Sequence, residues 1–126
     1  MLTPIDTLKL LNNRPEQQVK AGEVIFQVGE PGDVMYGLVQ GTVEVYLDNK
    51  LIETLEQGDV FGEGALLHPD HQRVSNAIAK TDCTLVTADR EHFMFAVQQT
   101  PMFALEVLKS YSDRFRRVKA RLQALL

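Results

Sequence analysis

The stretch Ala21-Gly22-Glu23-Val24-Ile25-Phe26-Gln27-Val28-Gly29-Glu30-Pro31-Gly32-Asp33 decides the fold class. Val24, Phe26 and Val28 recur at every second position, the period of a strand that turns one face to a core. Gly22 closes the run on one side and Gly29-Glu30-Pro31-Gly32-Asp33 on the other, residue types that let a chain reverse. The pattern repeats in Val43, Val45 and Leu47, with further turns at Gly41, Asp48-Asn49-Lys50 and Gly58-Asp59. Short alternating strands with turn signals roughly every 8–12 residues predict a β-sandwich or barrel.

Helices flank this β region. Thr3-Pro4-Ile5-Asp6 combines a capping residue, a proline at the first helical position and an acid at the third, which predicts a short helix to about Leu11, ended by Asn12-Asn13. After Leu85-Val86 the period changes: Asp89-Arg90-Glu91 opens a helix through Phe93 and Val97, and Pro101 marks the start of a longer one. In that last helix Ala104, Leu108, Tyr111, Phe115, Val118, Leu122 and Leu125 alternate steps of four and three, the 3.5-residue repeat of a coiled-coil seam. The expectation is a homodimer through this helix; the plainer reading is an amphipathic helix lying on its own domain. Residues 1–126 thus read as a single domain, with 1–17 an N-terminal helix and lead-in, 18–88 the β region and 89–126 the C-terminal helices.

With 126 residues and 44% hydrophobic content, the chain is long enough to bury one core without metals or disulfides. The net charge of −4 conceals a division: residues 1–108 carry seven Lys/Arg against sixteen Asp/Glu, and residues 109–126 carry six against Asp113 alone. An acidic body excludes a broad nucleic-acid surface, which needs a basic patch. The basic tail (Lys109, Arg114, Arg116, Arg117, Lys119, Arg121) reads as the solvated flank of the seam, so neither direct DNA binding nor membrane contact is expected. No run of eighteen apolar residues occurs, and Met1-Leu2-Thr3-Pro4-Ile5-Asp6 lacks the layout of a secretory signal, so a cytoplasmic protein is expected. Cys83, the single cysteine, sits in a strand-like context and reads as a core thiol.

Candidate chemistry gathers in Gly58-Asp59-Val60-Phe61-Gly62-Glu63-Gly64-Ala65-Leu66-Leu67 and the following His68-Pro69-Asp70-His71-Gln72-Arg73. Gly62 and Gly64 allow backbone to approach a ligand, and Ala65-Leu66-Leu67 suits a short helix whose free amides favour an anion. Between Lys50 and Lys80 Arg73 is the sole cation amid five carboxylates, Glu53, Glu56, Asp59, Glu63 and Asp70. A guanidinium offers paired donors to phosphate oxygens and a carboxylate accepts from sugar hydroxyls, so Arg73 with Glu63 suits a ribose phosphate, although the same residues also describe a turn with a surface ion pair. His68 and His71 lack a third ligand at sensible spacing, so no metal site is expected. Ser75 has no neighbouring base to activate it, and nothing else assembles a nucleophile, so the chain does not read as an enzyme.

The run 21–33, followed in order by Tyr36, Gly41-Thr42-Val43-Glu44-Val45 and Gly58-Asp59-Val60-Phe61-Gly62-Glu63, resembles the cyclic-nucleotide-binding family, which includes the catabolite activator protein and the regulatory subunits of cyclic-AMP-dependent kinase. The resemblance spans nearly the whole chain. It implies a mainly β fold with flanking helices, a double-stranded β-helix or jelly roll ending in a C-terminal dimerisation helix. It implies a phosphate-binding cassette at about 60–76, with Gly62, Glu63, Gly64, Ala65, Arg73, Val74 and Ser75 at the ligand, Glu63 on the ribose 2′-hydroxyl and Arg73 on the cyclic phosphate. The implied function is a sensor for a cyclic mononucleotide, cAMP or cGMP, coupled to the helix and to a protein effector. Three departures from the family pattern stand out. Val74 replaces a small or hydroxylated residue, Gly64 replaces a large apolar one, and Val118-Lys119 stand about where the activator protein contacts adenine. These departures keep two alternatives in view: a jelly-roll interaction module that no longer binds nucleotide, and the sensor part of a transcription regulator without its helix-turn-helix domain.

Overall fold

The expected capping box forms at the amino end. In a computed structural model describing residues 3–11 and 15–126, the Thr3 backbone N–H donates to Asp6 Oδ2 and the Asp6 N–H to Thr3 Oγ1, each at 3.1 Å. These bonds satisfy amides that open helix α1 (Pro4–Leu11). The expected stop at Asn12-Asn13 lies outside the described residues.

Eight strands follow among the described residues: β1 (Gln17–Val19), β2 (Val24–Phe26), β3 (Val34–Gln40), β4 (Val43–Leu47), β5 (Lys50–Leu55), β6 (Val60–Phe61), β7 (Asn76–Ala79) and β8 (Cys83–Asp89). Helix α2 (Gly64–Leu67) interrupts them, and α3 (Arg90–Gln99) and α4 (Met102–Leu125) end the chain. The strands form two antiparallel four-stranded sheets, ordered β1-β8-β3-β6 and β2-β7-β4-β5. Strands adjacent in sequence mostly lie in opposite sheets, and this jelly roll with flanking helices is the fold expected. Asp48 and Asn49 both take positive φ, 49° and 64°, in the two-residue loop between paired Leu47 and Lys50. That is the mirror-image turn whose twist suits a hairpin.

One expected strand is shorter than its alternation. β2 ends at Phe26, and Val28 is exposed, its N–H bonded to Asn76 Oδ1 at 2.9 Å. The cause lies in the close pairing of the next turn with Arg73: the Gly29 N–H reaches the Arg73 carbonyl and the Arg73 N–H the Glu30 carbonyl, at 2.8 and 2.9 Å.

Two apolar layers result. Phe26, Leu38, Val43, Val45, Leu55, Phe61 and Leu85 fill the space between the sheets, together with the thiol of Cys83. Met35, Val60, Val86 and Ala88 face outward from the β1-β8-β3-β6 sheet and meet Ile5 and Leu8 of α1, Ala96 of α3, and Phe103 and Val107 of α4. Hence β3 is apolar at consecutive positions, because both its faces are covered.

Candidate functional site

Arg73 is 6% exposed, and its surroundings explain how a cation is held there. One terminal nitrogen donates to the Gly62 carbonyl at 2.8 Å and the other to the Val34 carbonyl at 2.7 Å. The guanidinium carbon lies 4.4 Å from the centre of the Phe26 ring and 5.6 Å from that of Tyr36, so the ring faces attract the positive plane. Among the described residues no carboxylate forms an ion pair with it. The charge is held by carbonyl dipoles and ring faces.

The backbone makes room for this arrangement. Gly62 has φ of 77°, a left-handed conformation that carries β6 into α2, and a Cβ there would stand 2.9 Å from the Arg73 guanidinium. Gly64 differs: its φ is not positive and a Cβ would meet only His68, at 3.5 Å, so the position has space for a side chain. It opens α2, with Glu63 in the N-cap position.

Gly62, Glu63, Gly64, Ala65, Arg73, Val74 and Ser75, the residues singled out from the sequence, line one cavity of about 320 Å³. Opposite them stand Phe26, Phe61 and an apolar wall of Val45, Leu47 and Ile52, with Glu53, Arg114, His68 and Gln72 at its margins. The volume lies at the small end of ligand pockets, which run roughly 300–1,000 Å³. Ala65 is buried, Ser75 half-buried, and Val74 lies 77% exposed at the mouth. An arginine on one side, a carboxylate on the other and an apolar wall between are complementary to a small anion carrying a hydroxylated and a flat portion.

Helix α4 closes the margin of this cavity through a chain of polar contacts. The Tyr111 hydroxyl donates to Glu63 Oε2 in a short hydrogen bond. Burial, and after it the charge of Glu63, pushes the Tyr111 phenol far above its ordinary value, so the hydroxyl remains a donor. The Arg114 guanidinium lies 4.8 Å from the Tyr111 ring centre and grips Glu53 bidentately at 2.6 and 2.9 Å, while its third nitrogen holds the Val60 carbonyl at 2.8 Å. Burial alone would lower Arg114, but its bonds and proximity to Glu53 carry it above the usual guanidinium value. One turn further Arg117 pairs with Asp59, and one turn before Arg114 Ser110 Oγ accepts from the Val60 N–H at 3.1 Å.

The sequence pattern of the cyclic nucleotide-binding domain family matches residues 16–100, every strand included. The chain belongs to the cyclic nucleotide-binding domain family. A cAMP-dependent protein kinase regulatory subunit from Eremothecium gossypii is 37% identical over 84 residues, 67% of this chain and 18% of that protein. A cGMP-dependent protein kinase from Plasmodium berghei is 40% identical over 88 residues, 68% of this chain and 10% of its own length. The chain therefore spans less than a fifth of either relative. Among solved structures, Thermus thermophilus catabolite activator protein superposes with a TM-score of 0.71 at 25% identity, over 95% of this chain and 59% of that one.

Within this cyclic nucleotide-binding domain, some sequence-derived positions lie away from the cavity. Val118 lines a separate shallow groove with Ile52, Glu53, Thr54, Glu56, Arg117 and Arg121, and Lys119 is exposed with its ammonium 4.5 Å from the Phe115 ring centre. Neither reaches the space between Glu63 and Arg73, because α4 passes the cavity mouth one to two turns earlier, at Tyr111 and Arg114. Tyr111 in turn leaves the expected seam, since its hydroxyl is held inward by Glu63. Tyr111, Arg114 and Glu53 were not singled out as site residues: Glu53 and Arg114 are 61 positions apart, and neither sits in a local motif.

A larger groove, about 640 Å³, lies between Thr3-Pro4, the turn at 56–59 and the first half of α4. Its charges are largely matched within the chain, Arg117 with Asp59 and Lys109 with Asp113. Among the described residues no cluster of His, Cys, Asp and Glu is disposed to hold a metal ion, and His71 Nδ1 lies 2.7 Å from the Ala65 carbonyl. Among the described residues no helix is long and apolar enough to cross a membrane.

Proposed function

We propose that this domain binds a cyclic mononucleotide, cAMP or cGMP, in the cavity between Glu63 and Arg73 and acts as a regulatory sensor without catalysis of its own. The observation that carries the reading is the buried Arg73 guanidinium, which has ring faces and carbonyls about it but no carboxylate partner among the described residues. A buried cation without a counter-charge is costly, and a phosphodiester supplies the missing charge with paired acceptors. Glu63 then takes the ribose 2′-hydroxyl, and the wall of Val45, Leu47 and Ile52 flanks the rest of the nucleotide. Relatives named as cAMP-dependent and cGMP-dependent kinase proteins favour both nucleotides as candidates.

Signal output runs through α4. Its inner face is tied to the cavity margin, and its outer face carries Leu108, Phe115 and Leu122, at 63%, 61% and 57% exposure, an apolar stripe suited to a second copy of the helix. Occupancy that favours one position of α4 shifts the population of that position, and a protein effector responds to it.

A second reading has its own support. Both terminal nitrogens of Arg73 already hold carbonyls, and Glu63 already accepts from Tyr111, so the site is satisfied without ligand and an interaction module of the same fold needs none. Calorimetric titration with cAMP and cGMP separates the two. Binding by the native chain that falls roughly a hundredfold in Arg73→Ala, the equivalent of two bonds to a charged group, supports the sensor. No heat from either nucleotide leaves the interaction module standing.

A further inference from the structure

We infer that two copies of this chain pair their α4 helices antiparallel about Phe115, so that the basic second half of each helix lies alongside the net-acidic first half of the other. The inference rests on the reading of the outer α4 stripe as a seam for a second copy, and adds its direction.

Apolar matching alone leaves that direction open. Leu108 and Leu122 lie seven positions to either side of Phe115, and all three are exposed. Set parallel, each residue meets its own counterpart. Reversed about Phe115, Leu108 meets the partner's Leu122 and Phe115 still meets the partner's Phe115. Both arrangements cover the same side chains, so another force must choose between them.

Charge makes the choice. Residues 102–113 hold Glu106 and Asp113 against Lys109, whereas residues 114–125 hold five Lys/Arg and no carboxylate. Arg114 and Arg117 are engaged by Glu53 and Asp59, but Arg116, Lys119 and Arg121 are exposed. Paired helix axes lie about 8–10 Å apart, close to one screening length in physiological salt. A parallel pair would hold two sets of these cations at that distance with no acid on either half to bridge them, and flanking charges of this kind set the orientation of paired helices. The antiparallel pair separates the two sets. Each then lies beside the end of α4 that packs on the roll, in a body where residues 1–108 hold sixteen Asp/Glu against seven Lys/Arg. Coverage points the same way: residues 119–126 are all exposed, and reversal brings the last turn to the level of the partner's Leu105, a position 56% exposed in the single chain. Such a pair closes on itself as a two-fold dimer.

Single cysteines report the direction. A disulfide forms only where Cα atoms come within about 7 Å, and the fourteen positions from Leu108 to Leu122 span about 21 Å of helix. Leu108→Cys, Phe115→Cys and Leu122→Cys are made in the full chain, whose own Cys83 is 2% exposed. Each is oxidised mildly by itself, and the first and third also as an equimolar mixture, one of them carrying an affinity tag so that a non-reducing gel resolves the products. The expected result is ready self-linking of Phe115→Cys and, in the mixture, a dimer linking position 108 to position 122 in several-fold excess over either self-linked product. A mixed dimer no more abundant than the self-linked ones, beside ready linking at 115, overturns the inference alone. If Phe115→Cys does not link, the stripe is no seam, and the self-association reading falls first and this one with it.

Discussion

Gly32 is a glycine because of Arg73. A Cβ at this position would stand 2.4 Å from the Arg73 Nε and 2.5 Å from its Cζ, yet those atoms end a flexible side chain, so the fold can yield by releasing the guanidinium. Gly32→Ala is therefore expected to unfold within a few degrees of the native chain while its cAMP affinity drops by at least tenfold; thermal unfolding beside titration checks both halves. The tyrosines give a second residue-level expectation. Burial is the leading cause that raises the phenols of Tyr36, Tyr46 and Tyr111 above their ordinary value of about 10. The folded chain then keeps protons that the unfolded chain loses above about pH 10, so stability that is fully present below that pH declines as alkalinity rises. Absorbance at 295 nm should show phenolate forming at higher pH in the native state than in denaturant, and Tyr111→Phe should flatten the alkaline loss of stability. At this scale Arg73 stands out in the sequence because charge is countable, one cation among five carboxylates, whereas Glu63 is picked from those five only through the family resemblance. Tyr111 was not legible, since a phenol at a heptad position looks like any other apolar ring.

The long helix turns only part of its heptad stripe to solvent. At 3.6 residues per turn, positions four and three apart lie about 40° and 60° from one another around the axis, so one row of a heptad stripe can face the roll and the other solvent. Tyr111 faces Glu63 and Val118 the β5 side. Leu108, Phe115 and Leu122 stay outward. Leu125 is also exposed and lies near the end of the helix. A seam restricted to this outward stripe predicts that sedimentation equilibrium finds a dimer at tens of micromolar, and that Leu122→Glu returns it to a monomer with unchanged helicity. Equal masses for the two proteins would remove the stripe from any role in self-association. Among the strands, the alternation of Val43 and Val45 survives as burial while that of Val24 and Val28 does not. Period two reports extended backbone, but only the partner strand decides where pairing ends, and the turn locked to Arg73 ends β2 early.

The whole molecule resolves the charge division seen along the chain. Arg114 and Arg117 of the basic tail turn back onto Glu53 and Asp59 of the acidic roll, while Arg116, Lys119 and Arg121 remain in solvent. The asymmetry is partly an internal complementarity, which no linear count can reveal because it depends on which side of α4 each cation occupies. The two apolar layers have a further consequence. β3 lies between them and is bonded to β8 along most of its length, whereas the cavity beside Arg73 draws on β5 and β6, the terminal strands of their respective sheets. Water reaches the β3 backbone only when both layers part, a cost close to that of global unfolding, while the partly exposed edge strand β5 can detach at a smaller one. Small molecules can thus enter and leave through local breathing of the margin while the centre of the domain stays shut.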